Sequence, residues 1–218
     1  MSVEEEPIRI EAGSPTMVPE VRLLHYRSRI PQNASRSLHV CEEFEGGDFL
    51  ILLLYVDDML IVGRDQAKIR MLKTALNRKF AMKDLGPARQ ILGMHIIRDR
   101  SKKQLWLSQE KYVTKVLQRF NMSEAKPVGS TLPTNCKLSG KAEMMKIPYA
   151  SAVGSLMYAM VCTQPDIGYA VEVVSRFMSN PGKEHWNAVK WILRYLKGTS
   201  NMCLRFGSGK PQLDGTPG

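Results

Sequence analysis

The stretch Asp48–Gly63, DFLILLLYVDDMLIVG, constrains the fold more than any other part of the chain. Residues 48–56 form an apolar run long enough for a buried strand, and residues 59–63 form a second. Asp57 and Asp58 stand between them, so the pattern predicts a β-hairpin whose tight turn presents two carboxylates. Carboxylates at one hairpin tip repel each other, and desolvating them beside apolar strands is costly unless a cation neutralises them. Magnesium takes oxygen ligands and commonly uses one or two carboxylates plus substrate phosphates. Taken alone, the four residues Tyr55–Asp58 are weak evidence, because Asp-Asp in a solvated turn is common.

The rest of the chain reads as mixed helix and strand. Residues 1–36 hold Pro7, Pro15, Pro19 and Pro31 and keep no sustained period, which predicts a disordered leader. A short strand is expected over 37–45. A helix is expected over 66–80, with Ile69, Leu72, Leu76 and Phe80 on one face. Gly86-Pro87 breaks the chain, and 91–98 with 104–108 predict a second hairpin. A helix over 109–120 carries the stripe Tyr112, Val113, Val116, Leu117 and Phe120. Residues 123–148, rich in Pro, Ser, Thr, Gly and Lys, read as a linker. Helices follow over 149–161, from Pro165 to Met178, and over 184–197. A strand begins at Cys203–Phe206, ahead of Gly-, Pro- and Ser-rich residues.

Charge is unevenly placed. The net charge is +10, yet residues 1–63 carry 5 basic and 11 acidic side chains, while residues 64–146 carry 19 and 6. A basic segment after an acidic turn suggests a polyanion held beside a cation site. Lys111, Lys115 and Arg119 repeat at helical spacing, as do Lys190, Arg194 and Lys197. Either stripe could follow a phosphate backbone, or simply be a solvated helix face. The four cysteines show no zinc spacing and read as reduced thiols in an intracellular, cytoplasmic or nuclear protein. No apolar run is long enough for a membrane helix, and residues 1–20 lack a signal-peptide core.

Five blocks in order resemble the reverse transcriptases of copia-type LTR retrotransposons. They are DFLILLLYVDDMLIVG at 48–63, KFAMKDLGPARQILGMHI at 79–96, LSQEKYVTKVLQRFNM at 107–122, YASAVGSLMYAMVCTQPDIGYAV at 149–171 and SRFMSNPGKEHWNAVKWILRYLKGT at 175–199. The resemblance covers residues 37–213. It implies an α+β fold: a partial right-hand polymerase palm of antiparallel hairpins over 37–108, with Ile91–Ser108 as a primer-gripping hairpin. A thumb-like helix would follow at 109–122, and beyond the linker a helical connection region at 149–213. Residues 214–218 would be a truncated approach to ribonuclease H.

In this family two metal ions, roughly 3.5–4 Å apart, serve nucleotidyl transfer. The resemblance makes Asp57 the residue that binds both ions and Asp58 a more peripheral catalytic carboxylate. Tyr55, Val56, Leu92 and Gly93 would lie near the primer end or nucleotide. Mg²⁺ or Mn²⁺ would be the cofactor of the intact parent enzyme. Its partners would be an RNA template, a DNA primer, a deoxynucleoside triphosphate and other Pol segments.

The pattern is also incomplete. A palm needs a further metal-binding aspartate on an earlier strand, and the first aspartate here is Asp48. The fingers and the ribonuclease H acids are absent as well. The chain is therefore expected to be inactive alone. The alternatives are a non-enzymatic basic module that binds nucleic acid, or a relic that does not fold stably.

Overall fold

The computed structural model describes residues 4–10, 37–44, 48–55, 58–80, 82–133, 147–207 and 209–216. The fold is α+β with antiparallel sheets, and the chain divides into two compact units, Met1–Leu92 and Gly93–Gly218.

In the first unit, β3 (Asp48–Tyr55) and β4 (Asp58–Gly63) make the expected hairpin, in register from Leu50↔Gly63 to Tyr55↔Asp58. Asp58 is thus the first residue of β4 rather than a turn residue. The two-residue period of a strand decides what is buried. Leu50, Leu52 and Leu54 are buried, whereas Ile51 and Leu53 between them are only half-buried. The buried leucines, with Met59 and Ile61 of β4, pack on Ile69, Leu72 and Leu76 of helix α1 (Gln66–Lys79). These are residues of the face read from the sequence. Asp65 starts α1 by accepting the N–H groups of Ala67 at 2.8 Å and Lys68 at 3.4 Å. Gly63 lets the helix approach closely, since a Cβ there would lie 3.4 Å from Ile69 Cγ1 of α1, and 3.3 Å from the Phe49 carbonyl of β3. The ammonium of Lys73 on α1 reaches Asp84 of β5 (Met82–Asp84) at 3.0 Å.

Strand β2 (Ser37–Phe44) pairs with β3, as expected for that segment. The leader differs from expectation at residues 4–10. Glu4–Ile10 is strand β1, antiparallel to both β4 and β5, giving the order β2-β3-β4-β1-β5. The physical reason is the free edge of β4, whose backbone groups need partners. Pro7 conceals the strand in the sequence, because proline has no N–H to donate to a sheet ladder. It is tolerated here because β1 pairs with β5 only from Ile8 onward, leaving Pro7 paired on the β4 side alone.

In the second unit, β6 (Met94–Asp99), β7 (Gln104–Ser108), β8 (Met202–Phe206) and β9 (Gln212–Gly215) form successive antiparallel pairs. The hairpin expected to belong with the carboxylate turn therefore shares a sheet with the C-terminal strands, through Leu105↔Phe206 to Ser108↔Cys203. Beside it stand α2 (Glu110–Arg119), α3 (Tyr149–Cys162), α4 (Gly168–Ser175) and α5 (Lys183–Gly198). Their apolar stripes close one core, with Val116, Leu156, Val171, Val189 and Leu193 among its buried members.

Buried polar groups fix the joints of this bundle. Thr163 donates to Gln109 Oε1 at 2.8 Å, and Gln164 Nε2 donates to the Thr199 carbonyl at 3.1 Å. These bonds tie the start of α2 and the end of α5 to the turn after α3. His185, given no role from sequence, accepts the Gly182 N–H at Nδ1 (2.7 Å) and so caps α5. The described part of the expected linker is also held. Trp191 Nε1 donates to the Ser130 carbonyl at 2.9 Å, and Arg194 Nε donates to the Lys126 carbonyl at 2.7 Å.

Tyr149 is 2% exposed, and its hydroxyl donates to the Val174 carbonyl at 2.7 Å. Burial pushes its pKa from 10.0 to about 12. The unfolded chain thus loses this proton first, so the stabilisation is whole below pH 10 and fades toward pH 12. Tyr149→Phe should cost about 1–3 kcal/mol at neutral pH by stranding the Val174 carbonyl. It should also flatten the alkaline fall in stability, as read by urea unfolding across that pH range.

Candidate metal and nucleic-acid site

Asp58 sits at the tip of the carboxylate hairpin, half-buried at the first position of β4. Its register partner on β3 is Tyr55, so residues 56 and 57 connect the two strand ends. Val56 and Asp57 lie outside the described residues. The Asp58 carboxylate accepts the Leu92 N–H at 3.4 Å, at the long end of hydrogen bonding. This brings together two of the predicted site positions, which are 34 residues apart.

Leu92 is itself unusual. It has φ 50°, and Gly93 follows with φ 75°. Successive left-handed residues suit a tight turn, but a leucine there costs roughly 1–2 kcal/mol against its ordinary conformation. Glycine fills the second position without that cost, and Gly93 is exposed. The block QILGM therefore carries a strained leucine whose N–H faces a carboxylate.

The basic residues divide by use. Lys111, Lys115 and Arg119 are all exposed along α2. Lys190, Arg194 and Lys197 on α5 are half-buried. Arg194 is engaged within its own unit, with its guanidinium 5.0 Å from the Trp191 ring centroid and its Nε on the Lys126 carbonyl. The tryptophans serve packing as expected: Trp106 is buried, and Trp186 stands edge-on to Phe120 at 6.3 Å.

Among the described residues, no three Asp, Glu, His or Cys side chains come together to hold a metal ion. On β1 the residue across from Asp58 is Arg9, while the nearest acid, Glu6, is across from Ile61. That is three steps along the strand, on the order of 10 Å. Asp57 and the acids of residues 11–36 lie outside the described residues, so the register of β1 bears on Asp58 alone. The strand itself escaped sequence reading. Its one legible signal is the pair of isoleucines flanking Arg9, too short a pattern to assign.

A sequence profile described as reverse transcriptase (RNA-dependent DNA polymerase) matches residues 25–135, just over half of the chain. The chain belongs to the reverse transcriptase family. It is 61% identical over 183 residues to the retrovirus-related Pol polyprotein from transposon TNT 1-94 of Nicotiana tabacum, covering 80% of this chain and 14% of that protein. It is 39% identical over 157 residues to the Pol polyprotein from transposon RE2 of Arabidopsis thaliana, covering 71% and 11%. An uncharacterized mitochondrial protein of Arabidopsis thaliana is 40% identical over 154 residues, covering 69% of this chain and 62% of that protein. No solved structure matches. The chain thus corresponds to a reverse transcriptase segment of a retrotransposon Pol polyprotein, as the copia-type motifs implied, and spans about a seventh or less of the polyproteins' length. Among the described residues no helix is long and apolar enough to cross a membrane.

The strain at Leu92 generates a test. Leu92→Asn, a residue that tolerates the left-handed conformation, should stabilise the fold by up to about 1 kcal/mol in urea unfolding. An equal loss instead would mean that the leucine side chain contributes more packing than the turn costs.

Proposed function

We propose that this chain carries the metal-binding hairpin, but not the whole catalytic centre, of an RNA-directed DNA polymerase. Residues 37–92 act as the second part of a palm, with Asp57 and Asp58 as two carboxylates of a site completed by an acid on another segment. Tyr55, Val56, Leu92 and Gly93 line the primer end. The second unit combines the primer-gripping hairpin with the helices of a thumb and connection. Template RNA, DNA primer and nucleotide are the ligands of the complete enzyme, with Mg²⁺ or Mn²⁺ supplying charge stabilisation when bound. The setting is intracellular, cytoplasmic or nuclear.

The observation that supports this reading best is the β3–β4 register. It closes the hairpin at Tyr55↔Asp58, at the end of a leucine-packed support. Misplacing catalytic groups by even 1 Å can cost about a hundredfold, so a site lacking one ligand carboxylate should not polymerise alone. What the chain keeps by itself is contact with nucleic acid. The exposed row Lys111, Lys115 and Arg119 follows the phosphate backbone, while Arg194 supports the loop at residues 126–130.

The test is binding of the full chain to an RNA–DNA primer–template across a salt series. Affinity should fall steeply with salt, and replacing Lys111, Lys115 and Arg119 together by alanine should lower the slope of log affinity on log salt by about 2–3. A slope unmoved by the triple replacement, with the fold intact, would remove α2 from the interface.

A further inference from the structure

Asp58 is held twice, and the second hold comes from a backbone. The first is its place on the sheet: it opens β4, across from Tyr55, on the strand that buries Met59 and Ile61. That fixes where its Cα stands but not how its carboxylate turns, because the last side-chain torsion of an aspartate is broad and roughly two-fold. The second hold is the Leu92 N–H, which donates to Asp58 Oδ2 at 3.4 Å from 34 residues further along the chain. A donor on one oxygen restricts that rotation, and the charge of an ionised carboxylate strengthens the bond.

The backbone at Leu92 is shaped around this contact. An N–H direction is set by the peptide plane shared with the preceding residue, while φ decides where the chain goes next. Leu92 at φ 50° and Gly93 at φ 75° reverse the chain at once, as the two central residues of a hairpin turn do. The hydrogen bond internal to such a turn uses the N–H of the residue after the second central one, which leaves the Leu92 N–H to point outward. An unfavourable conformation of a bulky residue persists where contacts beyond the turn determine it.

We propose that Leu92 is a positioning residue of the carboxylate hairpin: its main-chain N–H holds Oδ2 of Asp58 and leaves the second oxygen to meet a ligand of the site. Because the donor is main chain, every residue except proline carries it, so no residue type at this position signals the role. The functional half of the proposal rests on the reading of Asp58 as a metal-site carboxylate; the contact itself does not.

Two measurements on the full, isotope-labelled chain separate these parts. Amide hydrogen exchange, followed by nuclear magnetic resonance, tests the contact. The Leu92 amide should exchange about tenfold faster in Asp58→Ala than in the parent, with the amides of Leu72 and Leu76 in α1 unchanged. Equal rates at Leu92 overturn it. Should Asp58→Ala fail to fold, Asp58→Asn keeps the shape and removes the charge: faster exchange supports the contact, and an unchanged rate overturns it. Mn²⁺, which broadens the signals of nuclei near it, tests the positioning. In the parent it should broaden the Met59 amide at concentrations that leave the Leu156 amide sharp. Replacing the Leu92 N–H by an ester oxygen removes the donor and keeps both side chains, and should raise the Mn²⁺ required about threefold. An unmoved requirement overturns the positioning role while leaving the metal reading intact. No selective broadening in the parent contradicts the metal reading and overturns the functional half, while the exchange rates still decide the contact.

Discussion

Everything in the first unit depends on burying one face of the β3–β4 hairpin against α1. The alternating leucines of β3 and the Met59–Ile61 pair of β4 leave only one register in which the apolar set meets Ile69, Leu72 and Leu76. A slip by one residue would turn that set outward and drive the intervening side chains into the helix. The register in turn fixes Asp58 as the first residue of β4, so a packing constraint determines where a charged group stands. Burying these side chains contributes about 1.5–3 kcal/mol each, enough to hold the charged Asp58 at the strand end. Packing thus carries the electrostatic cost of the turn.

The edge of β4 is the second constraint. A hairpin alone would present an unpaired strand, and β1 satisfies it from one side as β2 satisfies β3 from the other. Because β1 is recruited by backbone pairing, its side chains need not match those of a polymerase strand. The register brings Arg9, not an acid, to Asp58. The same topology therefore completes the sheet.

Much of this was legible in the sequence. The hairpin, α1, the 94–108 hairpin and all the helices of the second unit lie within a few residues of their expected bounds, because each carries a sustained apolar period. The family was legible in five ordered blocks. Three things were not. β1 has only seven residues and a proline, so neither its alternation nor its composition marks it, and only the demand of a distant edge creates it. The grouping of the 94–108 hairpin with Met202–Phe206 is a pairing across about a hundred residues, which local patterns do not encode. The left-handed Leu92 had no signature either, since leucine is a poor choice for that conformation. Of the candidate site, the sequence offered the carboxylates and the basic stripes, and Asp57 lies outside the described residues. The structure distinguishes α2, whose basic residues are exposed, from α5, where Arg194 is engaged with Trp191 and Lys126.

The central claim is that the chain holds part of a polymerase site and does not catalyse by itself. Primer extension on an RNA template, using the purified chain with Mg²⁺ or Mn²⁺ and an Asp57→Asn control, tests it most directly. The account predicts no nucleotide incorporation by either protein from folded, soluble samples. Incorporation by the parent chain that Asp57→Asn abolishes would contradict it, and would mean that another acid of this chain supplies the missing ligand.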